Sequence, residues 1–186
     1  LMRIKIFVLL CLTAIMQFTG VTPLKASHYY YKQLSLKDGV TSAVRCILTD
    51  KQGFVWIGTK AGISRYDGHE LKKYVYSPNN PHSIPNNLIH QIAEDEMSNI
   101  WILTDKGIAR YQRQSDDFFL PTDEKGTPII AYSTCLTKDG VLFGSKDKVY
   151  FYSYRDSSLR LLQKLNKGNN FNISLLSLWN EHTVLC

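Results

Sequence analysis

The chain has 186 residues, of which 44% are hydrophobic, 12% aromatic and 20% charged, with a formal net charge of +6. This is the composition of a folded chain and excludes a disordered or low-complexity protein. The basic residues are scattered singly, without a stripe or an Arg cluster, so no nucleic-acid contact is expected.

Residues 1–26 read as a signal peptide. Arg3 and Lys5 form a basic start, Ile6 to Met16 an apolar run, and Leu24-Lys25-Ala26 a cleavage region before Ser27. The apolar run is short for a bilayer span, and an uncleaved anchor is the alternative. Without this leader the net charge falls from +6 to +3, because Arg3, Lys5 and Lys25 leave and no acid does. Leu1 before Met2 suggests a reading frame opened one codon early.

Next comes a strand-like run, His28 to Leu34, in a segment (28–39) expected to supply a closing outer strand and a lead-in. Then Val44 to Leu48 alternates, and Asp50-Lys51-Gln52-Gly53 reads as a turn. Phe54 to Thr59 is a second strand, Lys60-Ala61-Gly62 a turn, and Ile63 to Tyr66 a third strand. Asp67-Gly68 is a two-residue hairpin signal, and Leu71 to Val75 a fourth strand. Eleven Tyr, eight Phe and three Trp agree with all-β structure.

That unit repeats. Val55-Trp56-Ile57-Gly58-Thr59 returns as Ile100-Trp101-Ile102-Leu103-Thr104, then as Val141-Leu142-Phe143-Gly144-Ser145 and as Thr183-Val184-Leu185-Cys186. Trp56, Trp101, Leu142 and Val184 lie 45, 41 and 42 residues apart. Tyr66, Tyr111 and Tyr152 each follow by ten residues, and Asp50 and Asp95 each precede by six. Four short strands per unit make an antiparallel meander of β-propeller blade length. One such sheet cannot bury both faces, whereas blades stacked around an axis can.

The predicted architecture is therefore an all-β partial propeller over 27–186, with blade 1 at 40–83, blade 2 at 84–126 and blade 3 at 127–168. A truncated blade 4 follows at 169–186. About three and a half blades fall short of the four to eight that close a ring, so further blades of the same chain are expected. Because a residue required once per blade is a packing residue, Trp56 and Trp101 are assigned to inter-blade interfaces rather than to sugar stacking. Asp50, Gly58, Gly62, Tyr66, Asp95, Gly107, Tyr111, Gly144 and Tyr152 join them as structural repeat positions. The Pro- and Asn-rich linker Ser77 to Asn87 reads as a spacer, with a ligand loop as the alternative.

Motifs of catalysis are absent: no His-Glu-x-x-His, no phosphate loop and no Gly-x-Ser-x-Gly. The five histidines (His28, His69, His82, His90, His182) lack metal spacing, and no cofactor is expected. Asp116-Asp117 and Asp123-Glu124 read as solvated turns, and Asp50 and Asp95 as turn-bonding residues. Cys46, Cys135 and Cys186 sit in apolar strand-like runs without a Cys-x-x-Cys pair and read as small core residues. Asn172-Ile173-Ser174 matches a glycosylation sequon.

The wording of the repeat is more specific than its period. Asp50-Lys-Gln-Gly-Phe-Val-Trp-Ile-Gly-Thr-Lys-Ala-Gly-Ile-Ser-Arg-Tyr-Asp-Gly68 resembles the two-component-regulator propeller repeat, and Leu34 to Thr41 resembles that family's opening. Unit two fits through Asp95, Trp101, Thr104, Gly107, Arg110 and Tyr111, with Leu103 for Gly. Unit three departs further, with Leu142 for Trp and Lys148 for Gly. The resemblance implies a seven-bladed periplasmic sensor propeller of a hybrid two-component histidine kinase, homodimeric when full length. It implies an oligosaccharide ligand, signalling across the inner membrane to polysaccharide-utilisation genes, and no catalysis in this region. The alternatives are a secreted propeller enzyme (glycosidase or lyase) and a non-catalytic adhesion or scaffold propeller. An enzyme would place acids or histidines at the channel-side strand starts, here read as Val44, Leu88 and Ile130.

Overall fold

The structure, a computed structural model, describes residues 42–164, 176–180 and 183–185. The leader, the 28–39 segment, the sequon and His182 lie outside them. The described residues are all-β and form three four-stranded antiparallel sheets and a two-stranded one.

The first sheet runs in chain order through β1 (Val44–Thr49), β2 (Val55–Thr59), β3 (Gly62–Tyr66) and β4 (Leu71–Tyr74). The second is β5 (Ile89–Glu94), β6 (Ile100–Thr104), β7 (Gly107–Gln112) and β8 (Asp117–Phe119). The third is β9 (Ser133–Thr137), β10 (Gly140–Gly144), β11 (Lys148–Ser153) and β12 (Leu159–Lys164). In the last, β13 (Ser177–Asn180) pairs with β14 (Thr183–Leu185). The register makes the repeat positions equivalent: Trp56 faces Arg65, Trp101 faces Arg110, and Leu142 faces Phe151.

Side chains alternate between the two faces of each sheet, and both faces are used. Trp56, Ile63 and Tyr74 of the first blade pack with Ile92, Ile100, Ile102, Ala109 and Tyr111 of the second in one core cluster. Trp101, Leu103 and Ile108 of the second pack with Val141, Phe143, Tyr150 and Tyr152 of the third. Cys135, Leu142 and Val149 of the third meet Leu176. The three blades thus send Trp56, Trp101 and Leu142 forward, and the second and third send Tyr111 and Tyr152 backward, so both faces of these sheets carry apolar residues. Ile47 and Ile92 occupy the same register position, opposite Ile57 and Ile102, yet are 63% and 8% exposed. Ile92 has the first blade behind it; among the described residues nothing comparable covers Ile47.

Some local expectations need correcting. The β3–β4 loop is not a two-residue hairpin at Asp67-Gly68 but four residues, Asp67 to Glu70. The Asp67 carboxylate accepts the backbone N–H groups of His69 (2.8 Å) and Glu70 (2.7 Å), so the side chain supplies the turn that a tighter hairpin would make by itself. Between β2 and β3 only Lys60 and Ala61 turn, because Gly62 already pairs with Thr59. The inner strands of the second and third blades start at Ile89 and Ser133 rather than at Leu88 and Ile130. Leu88 is outside the ladder because its carbonyl is taken by the Asp105 N–H across the loop. Ile130 precedes the ladder, whose first bonds are Tyr132 N–H to the Gly144 carbonyl and the Ser133–Gly144 pairing.

Candidate functional site

A repeat protein offers two kinds of position: those every blade needs and those one blade keeps for itself. The first kind builds the joints. Asp50 Oδ1 accepts the N–H groups of Gln52 (3.0 Å) and Phe54 (2.9 Å), closing its turn, while Oδ2 accepts the Trp56 indole N–H at 2.9 Å. Asp95 repeats the device, taking Asn99 N–H at 2.8 Å and the Trp101 indole at 2.7 Å. The six-residue spacing from Asp to Trp therefore fixes a rotamer as well as a turn. Burial opposes the charge on Asp50, but bonds from Trp56, Arg113 and the Phe54 backbone outweigh it and hold the carboxyl below its usual range.

The next blade then caps this unit. Arg113, two residues after Tyr111, donates to Asp50 Oδ2 at 3.0 Å and to Gln52 at 2.8 Å. Tyr154, two residues after Tyr152, lies beside Asp95; burial first and the Asp95 charge second push its phenol upward. The joint is completed by an arginine one residue before the repeat tyrosine. Arg65 donates to the Tyr111 hydroxyl and lies over the Phe54, Trp56 and Tyr111 rings. Arg110 donates to the Tyr152 hydroxyl at 2.8 Å and lies over Trp101 and Tyr152. Trp56–Tyr111 and Trp101–Tyr152 are edge-to-face pairs, both with centroids 4.8 Å apart.

Two glycines mark close approaches. A Cβ on Gly58 would sit 2.5 Å from Cys46 Sγ and 2.8 Å from Ile89 Cγ2, so the second blade presses on it directly. Gly62 has φ +114 and faces the Tyr74 carbonyl, which a Cβ would meet at 2.5 Å. Leu103, standing where Gly58 does, is fully buried in a cluster that includes the small Ala131. Gly144 pairs with Ser133 and Val149, Gly107 with Thr104, and Tyr66 is half-buried with its hydroxyl on the Gly68 carbonyl at 2.5 Å.

The linker at 77–87 is anchored through Ser83 and Ile84, while residues 78–82 are exposed. Ile84 is fully buried, Ser83 donates to the carbonyls of Ser77 and Asn80, and the His82 carbonyl takes the Phe118 N–H.

Asp116, read above as part of a solvated turn, needs correcting. It sits in the β7–β8 turn with φ +55 and reaches the first blade, accepting from Tyr74 at 2.6 Å, from Tyr111 at 2.5 Å, and from Arg65 and Lys72. Burial works against its charge, but the Lys72, Tyr111 and Tyr74 bonds win and hold it at about 2. The neighbouring His82 approaches Asp117 at 3.8 Å, and His90 Nε2 meets Asp105 Oδ1 at 2.5 Å. Arg113 and Asp116 are the interface residues that sequence reading missed; both follow Tyr111 at the same turn, but only their reach across blades distinguishes them from surface charges.

Stacked four-stranded meanders, joined at both junctions by the Trp and Arg of one blade and the Tyr of the next, are the blades of a β-propeller. Residues 38–61 match the family model described as the two component regulator propeller, and the chain carries that repeat. Over 59 residues it is 37% identical to Histidine kinase P4 of Formosa agariphila, a match covering 31% of this chain and 4% of that protein. In fold it is similar to the crystal structure named for the extracellular domain of the hybrid two component system BT3049 of B. thetaiotaomicron. That match has a TM-score of 0.52 and 19% identity, and covers 76% of this chain and 21% of that one. The chain thus spans about a fifth of that structure and a small part of the kinase.

Proposed function

We propose that this chain is the sensor propeller of a hybrid two-component system: exported by the leader at 1–26, it binds an oligosaccharide in the periplasm. The signal passes across the inner membrane to a histidine kinase and controls polysaccharide-utilisation genes. The observation that carries this reading is the match of residues 38–61 to the two component regulator propeller repeat. The names of the similar proteins, a histidine kinase and a hybrid two component system, support it. A homodimeric full-length protein is part of the same reading.

The structural economy of the blades agrees with a binding role. Joint residues are committed to one another, so a ligand must use positions that differ between blades. The test is calorimetric titration of the complete ectodomain with an oligosaccharide panel, paired with reporter transcription from neighbouring genes. Binding without turnover is the expected result. Hydrolysis of the sugar would overturn the sensor reading in favour of a secreted enzyme.

A further inference from the structure

The two inter-blade junctions should be copies, and at one point they are not. Register makes Lys72, opposite Arg65, equivalent to Phe119, opposite Arg110. Extending that register by two residues places Pro121 where Tyr74 stands. Asp116 and Ser157 each lie five residues after the repeat tyrosine, and both adopt the left-handed conformation, with φ 55 and 53. At the first junction this place is filled by the Asp116 carboxylate with Lys72, Tyr74 and Arg65 around it. At the second the positions of Lys72, Tyr74 and Asp116 are taken by Phe119, Pro121 and Ser157, and these three line an open-sided cavity of about 260 Å³.

We propose that this cavity is a subsite for one neutral pyranose ring of a glycan. It rests on the sensor reading above for the class of ligand, and on three observations for the place. First, the Phe119 ring is 37% exposed, where the equivalent Lys72 and Arg160 are exposed cations that packing does not require to be aromatic. Arg110 lies over one face of the ring, 5.0 Å from its centroid, and fixes its position by a cation–π contact. Second, the cavity has buried apolar surface at Pro121 and Leu159 and a polar rim at Thr122, Asp123, Glu124 and Ser157. Among the described residues no hydrogen bond engages the side chains of Thr122, Glu124 or Ser157, so they are available to a ligand. Third, the volume is slightly below the usual range for drug-sized ligands, which suits a single sugar ring. An aromatic platform with carboxylates and hydroxyls at its edge matches the apolar face and the equatorial hydroxyls of a pyranose. Two rim carboxylates disfavour an acidic sugar.

The experiment is saturation-transfer NMR on the complete ectodomain with methyl β-D-glucopyranoside, methyl β-D-galactopyranoside and methyl α-D-mannopyranoside. Transfer to the ring protons of at least one is expected, lost in Phe119→Ala. The double variant F119K/S157D restores the first junction's residue types and fills the cavity; it is expected to fold and to abolish transfer. Glu124 is exposed, so Glu124→Ala leaves folding intact and weakens binding about tenfold. No transfer from any of the three sugars, or transfer unchanged in F119K/S157D or Glu124→Ala, overturns the subsite. An oligosaccharide that binds wild type and F119K/S157D equally well also overturns it, and leaves the sensor reading standing.

Discussion

The junction between the first and second blades and the junction between the second and third are built from one repeat, yet they solve the outer part of the interface differently. Near the tryptophan they are interchangeable: an Asp-held indole, an arginine over it, and the edge of the next blade's tyrosine. Farther out, the first junction closes on a carboxylate that gathers four donors, while the second closes on an aromatic ring and a hydroxyl and leaves space. The comparison separates two demands. Burying both faces of every blade fixes the inner joint, whereas the rim is free to differ once that area is buried.

The largest effect should show the inner joints to be alike. Trp56→Ala and Trp101→Ala are each expected to cost about 3–5 kcal/mol in denaturant unfolding of the intact propeller, by loss of a fully buried indole and the cavity left behind. Values differing by more than a factor of two would break the equivalence. A folded Trp56→Ala protein with wild-type melting but lost sugar binding would reassign that residue to the ligand.

Gly58→Ala sharpens the contrast at a smaller scale. Its Cβ would overlap Cys46 and Ile89, so about 1–3 kcal/mol of destabilisation is expected. The equivalent Leu103 already accommodates a large side chain, and Leu103→Ala should instead lose stability by leaving a void. Urea midpoints of the two variants, with the m-value checked for constancy, decide this.

The rim carboxylate gives the junctions different pH behaviour. Asp116 is held at about 2 against an ordinary 3.8, so its contribution is complete above about pH 4 and is lost as the pH falls toward 2. Because the group is partly exposed, the expected size is about 1 kcal/mol. Asp116→Asn should remove that acid-side slope. Ser157, its counterpart, has no titratable group, and Ser157→Ala should leave the slope unchanged.

The smallest expected difference is in the hydroxyls. Tyr152→Phe removes one acceptor for Arg110 and should cost about 0.5–1.5 kcal/mol. Tyr111→Phe also removes a donor to Asp116, so its cost should be larger and should shrink when measured in an Asp116→Asn background. Additive values would show that the first junction has no coupled network.

Periodicity alone located the blades, because the constraint behind it is local and recurs: four short strands, tight turns, and one large residue per sheet to fill the gap to the next. The spacing of Asp50 from Trp56 and of Asp95 from Trp101 was visible in the same way, although the indole N–H as the second reason for the aspartate was not. The Asp67-Gly68 signal was read as a two-residue hairpin because the dipeptide carries no information about where pairing resumes. Pairing resumes at Leu71, because the Asp67 carboxylate also accepts the backbone N–H groups of His69 and Glu70.

What the sequence could not decide lies across the interfaces. Arg113 and Asp116 look like ordinary turn charges, and only the neighbouring blade gives them partners more than forty residues away. Phe119 looks like one more strand aromatic until the register sets it against Lys72 and Arg160. Local sequence determined the repeat and its inward residues, since these follow from strand alternation and the volume a blade must fill. Only the stacking of one blade on the next decided which polar residues meet and where a cavity remains, because those distances belong to no single repeat.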